Sequence, residues 1–76
     1  MLTGPQIRAA RALVGLSQVQ VAERAGVASL TIKRIEGQDG PLRGSYQTVE
    51  RIRAALEAAG VEFIEGGVRV RPESAS

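Results

Sequence analysis

Seventy-six residues carrying a net charge of +2 leave room for a single small domain, because chains divide into units of roughly 100 to 200 residues. Neither cysteine nor histidine is present, which excludes disulfide frameworks, thiolate nucleophiles and the usual zinc sites and removes the commonest general base, so neither an enzyme nor a cofactor is expected. The apolar share of 43% and charged share of 24% are those of a folding chain, yet one this short buries only about 60% of its unfolded surface, so its core must be compact or helped by a partner chain.

The first element is announced by Leu2-Thr3-Gly4-Pro5-Gln6-Ile7. Thr3 can cap a helix with Gln6 as its return partner, Leu2 and Ile7 suit a hydrophobic staple, and proline costs nothing in a first turn. The spacing predicts a helix over Gly4–Val14, with Ile7, Ala10, Leu13 and Val14 inward, Arg8 and Arg11 outward, and Gly15 as a left-handed stop. The same signal recurs at Ser17 and Gln20, giving a second helix over Gln18–Ala25 whose inner face carries Val21, Ala22 and Ala25, while Val19 faces solvent; Gly26 ends it. A third short helix spans about Ser29–Glu36, with Ile32 and Ile35 on one face. Gly37 to Gly44 reads as loop. Ser45 can cap a fourth helix over Tyr46–Ala59, striped by Val49, Ile52, Ala55, Leu56 and Ala59, with Gly60 as its stop and Tyr46 expected to pack.

The period then changes from helical to alternating. Two short β-prone runs, Val61–Glu65 and Val68–Arg71, flank Gly66-Gly67, a two-residue turn signal. That turn sets Phe63 opposite Val70 and Glu62 opposite Arg71. A lone hairpin is marginal in water, so it must pack on the helices or pair with another chain. Glu57, Glu62 and Glu65 are expected to be solvated charges. The residues from 72 on are expected to fray.

No apolar run approaches the roughly 20 residues needed to span a bilayer, and Met1-Leu2-Thr3-Gly4-Pro5 lacks the charged start of a signal peptide, so a cytoplasmic location is the default. Charge is unevenly spread. Up to Arg53 there are eight basic and four acidic residues, and beyond it two basic and four acidic, so the first part suits a polyanion. Nine of the ten basic residues are arginine, the side chain that pairs bidentately with phosphate or guanine. A high-GC coding bias raises arginine equally well.

The informative stretch is Gln18 to Glu36: two short helices joined at Gly26, with a small Ala22 where they cross and Val21, Ala25, Val27, Ile32 and Ile35 as the buried set. This is the pattern of a helix-turn-helix whose second helix projects outward. On the residues Ile7-Arg8-Ala9-Ala10-Arg11, Gly15-Leu16-Ser17-Gln18, Val21 to Val27 and Thr31 to Glu36, the chain resembles the phage repressor and Cro-like helix-turn-helix family, the XRE family of transcriptional regulators. The likeness covers about residues 2–59, and Gly60 to Ile64 resembles the β extension of many small members.

The resemblance implies an all-α, lambda-repressor-like bundle of four short helices (residues 1–59) with a C-terminal β-hairpin or pairing strand (residues 60–71). It implies that the third helix lies in a DNA major groove. Gln18 matches a phosphate-contacting position that also braces the third helix; Ser29, Leu30 and Thr31 match early base-reading positions and Lys33 and Arg34 later ones. Arg34 can take guanine O6 and N7 together, and an exposed Leu30 suits a thymine methyl. Arg43 fits a phosphate contact. The extension implies dimerisation or packing through Val61, Phe63, Ile64, Val68 and Val70. Two positions depart from the pattern: Ala28 stands where the family has a capping residue, which moves the expected cap to Ser29, and Gly37-Gln38 replaces Asn-Gly.

Each residue also has a plainer reading. Lys33 and Arg34 fit a solvated face or pairing with Glu36, Leu30 fits a cover for a neighbouring helix, and Gln18 fits simple support of its cap region. The functional expectation is a DNA-binding repressor acting as a homodimer on a palindromic operator. A protein-interaction module such as an antitoxin is the alternative, motivated by the acidic end, Phe63 and the hairpin edge.

Overall fold

A computed structural model describes residues 2–39 and 44–72. Four helices are followed by a hairpin: α1 Gly4–Val14, α2 Gln18–Ala25, α3 Ser29–Glu36, α4 Tyr46–Ala58, β1 Val61–Ile64 and β2 Gly67–Val70. Among the described residues no helix is long and apolar enough to cross a membrane.

The first two helices begin as their sequences predict. Thr3 Oγ1 accepts from the Gln6 amide at 3.2 Å while Gln6 Oε1 accepts from the Thr3 amide at 3.0 Å. Ser17 and Gln20 repeat the exchange at 3.0 and 2.8 Å. Each such box satisfies two N–H groups that a helix start otherwise leaves open, a stabilisation of about 1 kcal/mol. α3 differs from the expectation that Ser29 caps it. Its N-cap is Ala28, which offers no side-chain acceptor, and Ser29 is already the first helical residue. Ser45 precedes α4 without a side-chain cap bond, and that helix stops one residue short of the expected Ala59, which becomes its C-cap.

The core takes one face from each helix: Ile7 and Ala10 from α1, Val21, Ala22 and Ala25 from α2, Ile32 and Ile35 from α3, Ile52 and Leu56 from α4, with Val61 of β1. Leu2, Val14, Leu16, Val27, Ala55, Phe63 and Val68 pack around it. Two expected positions fall elsewhere. Leu13, predicted inward, is 45% exposed, and Tyr46, predicted to pack, is 78% exposed. Tyr46 is the first residue of its helix, before the stripe carried by Ile52 and Leu56 turns inward.

The hairpin forms in a different register from the predicted one. Val61 pairs with Val70, Glu62 with Arg69, Phe63 with Val68 and Ile64 with Gly67, so the loop is Glu65-Gly66 rather than Gly66-Gly67. Only Gly66 in that loop takes a positive φ, 74°, and Gly67 becomes the first strand residue. The slip is by two residues, which keeps every side chain on its face while changing its partner. Glu62 therefore pairs with Arg69, not Arg71.

Tertiary docking explains the choice. Gln6 is buried, and with its oxygen used in the helix cap its amide nitrogen donates to the carbonyls of Ile64 at 2.9 Å and Gly67 at 3.0 Å, the two residues that close the loop. Leaving that buried amide unpaired would cost about 1 to 3 kcal/mol. The ladder continues outward as the Arg71 amide donates to the Gly60 carbonyl at 2.7 Å. The hairpin thus packs on α1 and α4 of its own chain.

The start of α1 rests on the end of α3. A Cβ added at Gly4 would lie 2.4 Å from the Gln38 carbonyl oxygen and 2.5 Å from that of Ile35. Both are backbone atoms, so the helices would have to separate. Gly4→Ala is expected to destabilise the fold by about 1 to 3 kcal/mol, lowering the melting temperature by roughly 4 to 8 °C for each kcal/mol. A thermal unfolding curve superimposable on that of the wild type would contradict this account.

Candidate nucleic-acid interface

α3 is amphipathic by its own spacing: Ile32 and Ile35 enter the core and Ser29, Leu30, Lys33 and Arg34 are exposed. Thr31 is half-buried and lines a groove with Arg34 on one wall and Ser45, Thr48 and Val49 of the start of α4 on the other. Leu30 is 59% exposed, so it does not serve as cover for a neighbouring helix.

The sole acidic residue of α3 decides the electrostatics of this face. Glu36 turns inward and is buried, where Arg11 grips it with two nitrogens: Nε to Oε2 at 2.8 Å and Nη2 to Oε1 at 3.1 Å. Gln18 Nε2 donates to the same Oε1 at 3.2 Å, and Arg11 Nη1 donates to the Leu16 carbonyl at 3.1 Å. One buried carboxylate thereby joins α1, the start of α2 and the end of α3. Arg11, expected to point outward, is half-buried in this network. Its hydrogen bond to Glu36 raises its pKa further above the ordinary arginine value, with burial opposing and the Glu36 charge adding to the rise.

With Glu36 occupied, Lys33 and Arg34 form no ion pair with any described residue. The other ion pairs among the described residues lie away from α3. Arg53 bridges Glu50 at 3.4 Å and Glu57 at 3.3 Å along α4, so Glu57, expected to be solvated, is paired at the surface. The Glu57 charge is the largest cause holding the Arg53 pKa above its usual value, with Glu50 adding to it. Gln18, half-buried, braces α3 through Glu36. Arg43 lies outside the described residues.

The strand residues separate into two groups. Val61 is 1% exposed and belongs to the core, while Phe63 and Val68 are half-buried against it. Ile64 and Val70 are exposed. Val70 shares a mostly apolar cleft with Leu13, Val14, Ala59 and Pro72, to which α2 and α3 contribute none of the described lining residues.

Sequence reasoning missed Arg11 and Glu36 as structural polar groups, and for Gln6 it found the capping role but not the bonds to the hairpin. A signal was present. Arg11 lies four residues after the buried Ile7, and Glu36 four after the buried Ile32, so both charges occupy core rows of their helices. Opposite charges on two core rows are a pairing signal that no single helix displays.

The sequence matches no protein-family model and no curated protein at a significant level.

Removing one partner of the buried pair leaves the other charge without compensation. Arg11→Met is expected to cost about 2 to 4 kcal/mol, below the full value for a deep pair because the arginine side chain is 23% exposed. Lys33→Met is expected to stay within about 0.5 kcal/mol. Urea titrations of both variants check the contrast, and equal midpoints would refute it.

Proposed function

We propose that this chain is a sequence-specific DNA-binding transcriptional regulator with a lambda-repressor-like fold, a member by resemblance of the XRE family, acting in the cytoplasm as a repressor on a palindromic operator. One observation carries the reading: the carboxylate of α3 is drawn inside by Arg11 and Gln18, leaving an exposed helix face whose cations, Lys33 and Arg34, have no described ion-pair partner. A short helix of this chemistry fits a major groove, with Ser29, Leu30 and Arg34 toward base edges and Lys33 toward phosphate. Gln18 fits both a phosphate contact and the brace that holds α3. Binding would release counterions and weaken as salt rises.

The test is selection from a random duplex library with the purified chain at two salt concentrations. An enriched palindromic motif, bound more weakly at higher salt, is the expected result. Failure to enrich any motif at either concentration would overturn the sequence-specific reading.

The operator reading calls for two copies, and the cleft containing Leu13 and Val70 is the surface that supports a homodimer. Val70 is 61% exposed, so its replacement does not disturb the core. Val70→Glu is expected to shift the chain from dimer to monomer at micromolar concentration in light scattering while leaving thermal unfolding within about 1 kcal/mol of wild type. A variant that stays fully dimeric would place the interface elsewhere. The same cleft favours the second reading, a protein-interaction module of antitoxin type. A stoichiometric partner co-purifying from the native host would support that reading.

A further inference from the structure

We propose that Lys33 is an acylation site: its amine takes an acyl group from an acyl phosphate, and the loss of its charge lowers the affinity of α3 for DNA. The proposal rests on the DNA-binding reading and adds how that binding is relieved. Lys33 is the single lysine of the chain, the other nine basic residues being arginine. A guanidinium stays protonated and is no nucleophile, whereas an amine that has shed its proton attacks a carbonyl carbon. One side chain in the whole sequence can therefore form a stable amide, and it lies on the exposed face of α3.

Tertiary structure leaves that amine accessible. Glu36, three positions on, is the carboxylate its own helix would offer, and it is buried in the grip of Arg11 and Gln18. Lys33 forms no ion pair with any described residue. Arg34, the next residue, is equally without one and lines a groove of about 180 Å³ with Thr31, Ser45 and Thr48. A guanidinium among three hydroxyl-bearing residues suits a phosphoryl group and draws an anionic donor toward Lys33. The groove is smaller than the roughly 300 Å³ at which pockets for larger ligands begin, so an acyl phosphate fits where a nucleotide-bearing thioester does not. In the step, the Lys33 nitrogen bonds to the acyl carbon and the carbon–oxygen bond to phosphate breaks. Inorganic phosphate leaves with that electron pair, and the nitrogen's surplus proton passes to water. The amide is neutral, so α3 keeps Arg34 and loses its other cation.

Acetyl phosphate is the probe, applied to the purified full chain, with the terminal α-amine as internal reference in a peptide map. Acetylation is expected at Lys33, and in Arg34→Gln the ratio of Lys33 to α-amine acetylation is expected to fall several-fold. The acetylated chain and Lys33→Gln are each expected to bind the enriched duplex roughly five-fold more weakly at about 0.15 M salt, the effect of one lost phosphate contact, with the motif and the thermal unfolding curve unchanged. Lys33→Arg, which keeps the charge and accepts no acyl group, is expected to bind alike before and after treatment. An unmodified Lys33, a ratio that Arg34→Gln leaves unaltered, or an acetylated chain that binds the duplex as tightly as before overturns the inference alone. A wild-type chain that binds no duplex selectively overturns the DNA reading itself, and this inference with it.

Discussion

The buried carboxylate of Glu36 is the constraint on which the arrangement of the helices depends. An ionised group taken out of water must be matched by donors, and three reach it: two nitrogens of Arg11 and the amide of Gln18. Those donors come from α1 and from the start of α2, so satisfying one charge fixes the end of α3 against both helices. It also clears the outer face of α3 of negative charge. The position of α3 and the sign of its surface thus have one physical cause.

A second polar group performs a similar service at the other end of α1. Gln6 uses its oxygen in the helix cap and its nitrogen on the carbonyls that close the hairpin loop. The start of α1 is thereby held on one side by the hairpin. On the other it rests on the end of α3, where Gly4 permits an approach to backbone carbonyls that a Cβ would block. Placing Val61 in the core makes the hairpin a structural part of the bundle. Its outward apolar residues are Ile64 and Val70. On the proposed reading the chain therefore has two working surfaces, the exposed row of α3 and the apolar cleft around Leu13 and Val70, built from different elements.

Features set by local chemistry are legible in the sequence, and those set by long-range packing are not. The capping boxes at Thr3 and Ser17, the glycine stops after α1 and α2 and the inward rows of isoleucine and alanine involve residues no more than a few positions apart, and all are readable from spacing. Arg11 was expected outward, yet it meets a partner 25 positions away. The hairpin turn was placed one residue too late, because the glycine pair satisfies more than one loop and Gln6, about 60 positions earlier, selects among them. Spacing puts Leu13 in the inward stripe of α1 and Tyr46, at the head of α4, among the packing residues, yet both are exposed.

By itself the sequence determined the starts and stops of α1 and α2, the existence of a hairpin and the inward apolar row of each helix, because these follow from propensity, capping and period within single elements. Only the tertiary structure decided that Glu36 turns inward, which strand residue faces which, and where apolar surface is left over. Each of those depends on which donors and acceptors from distant segments meet in the core, and the cost of burying an unpaired polar group operates only after the chain has folded.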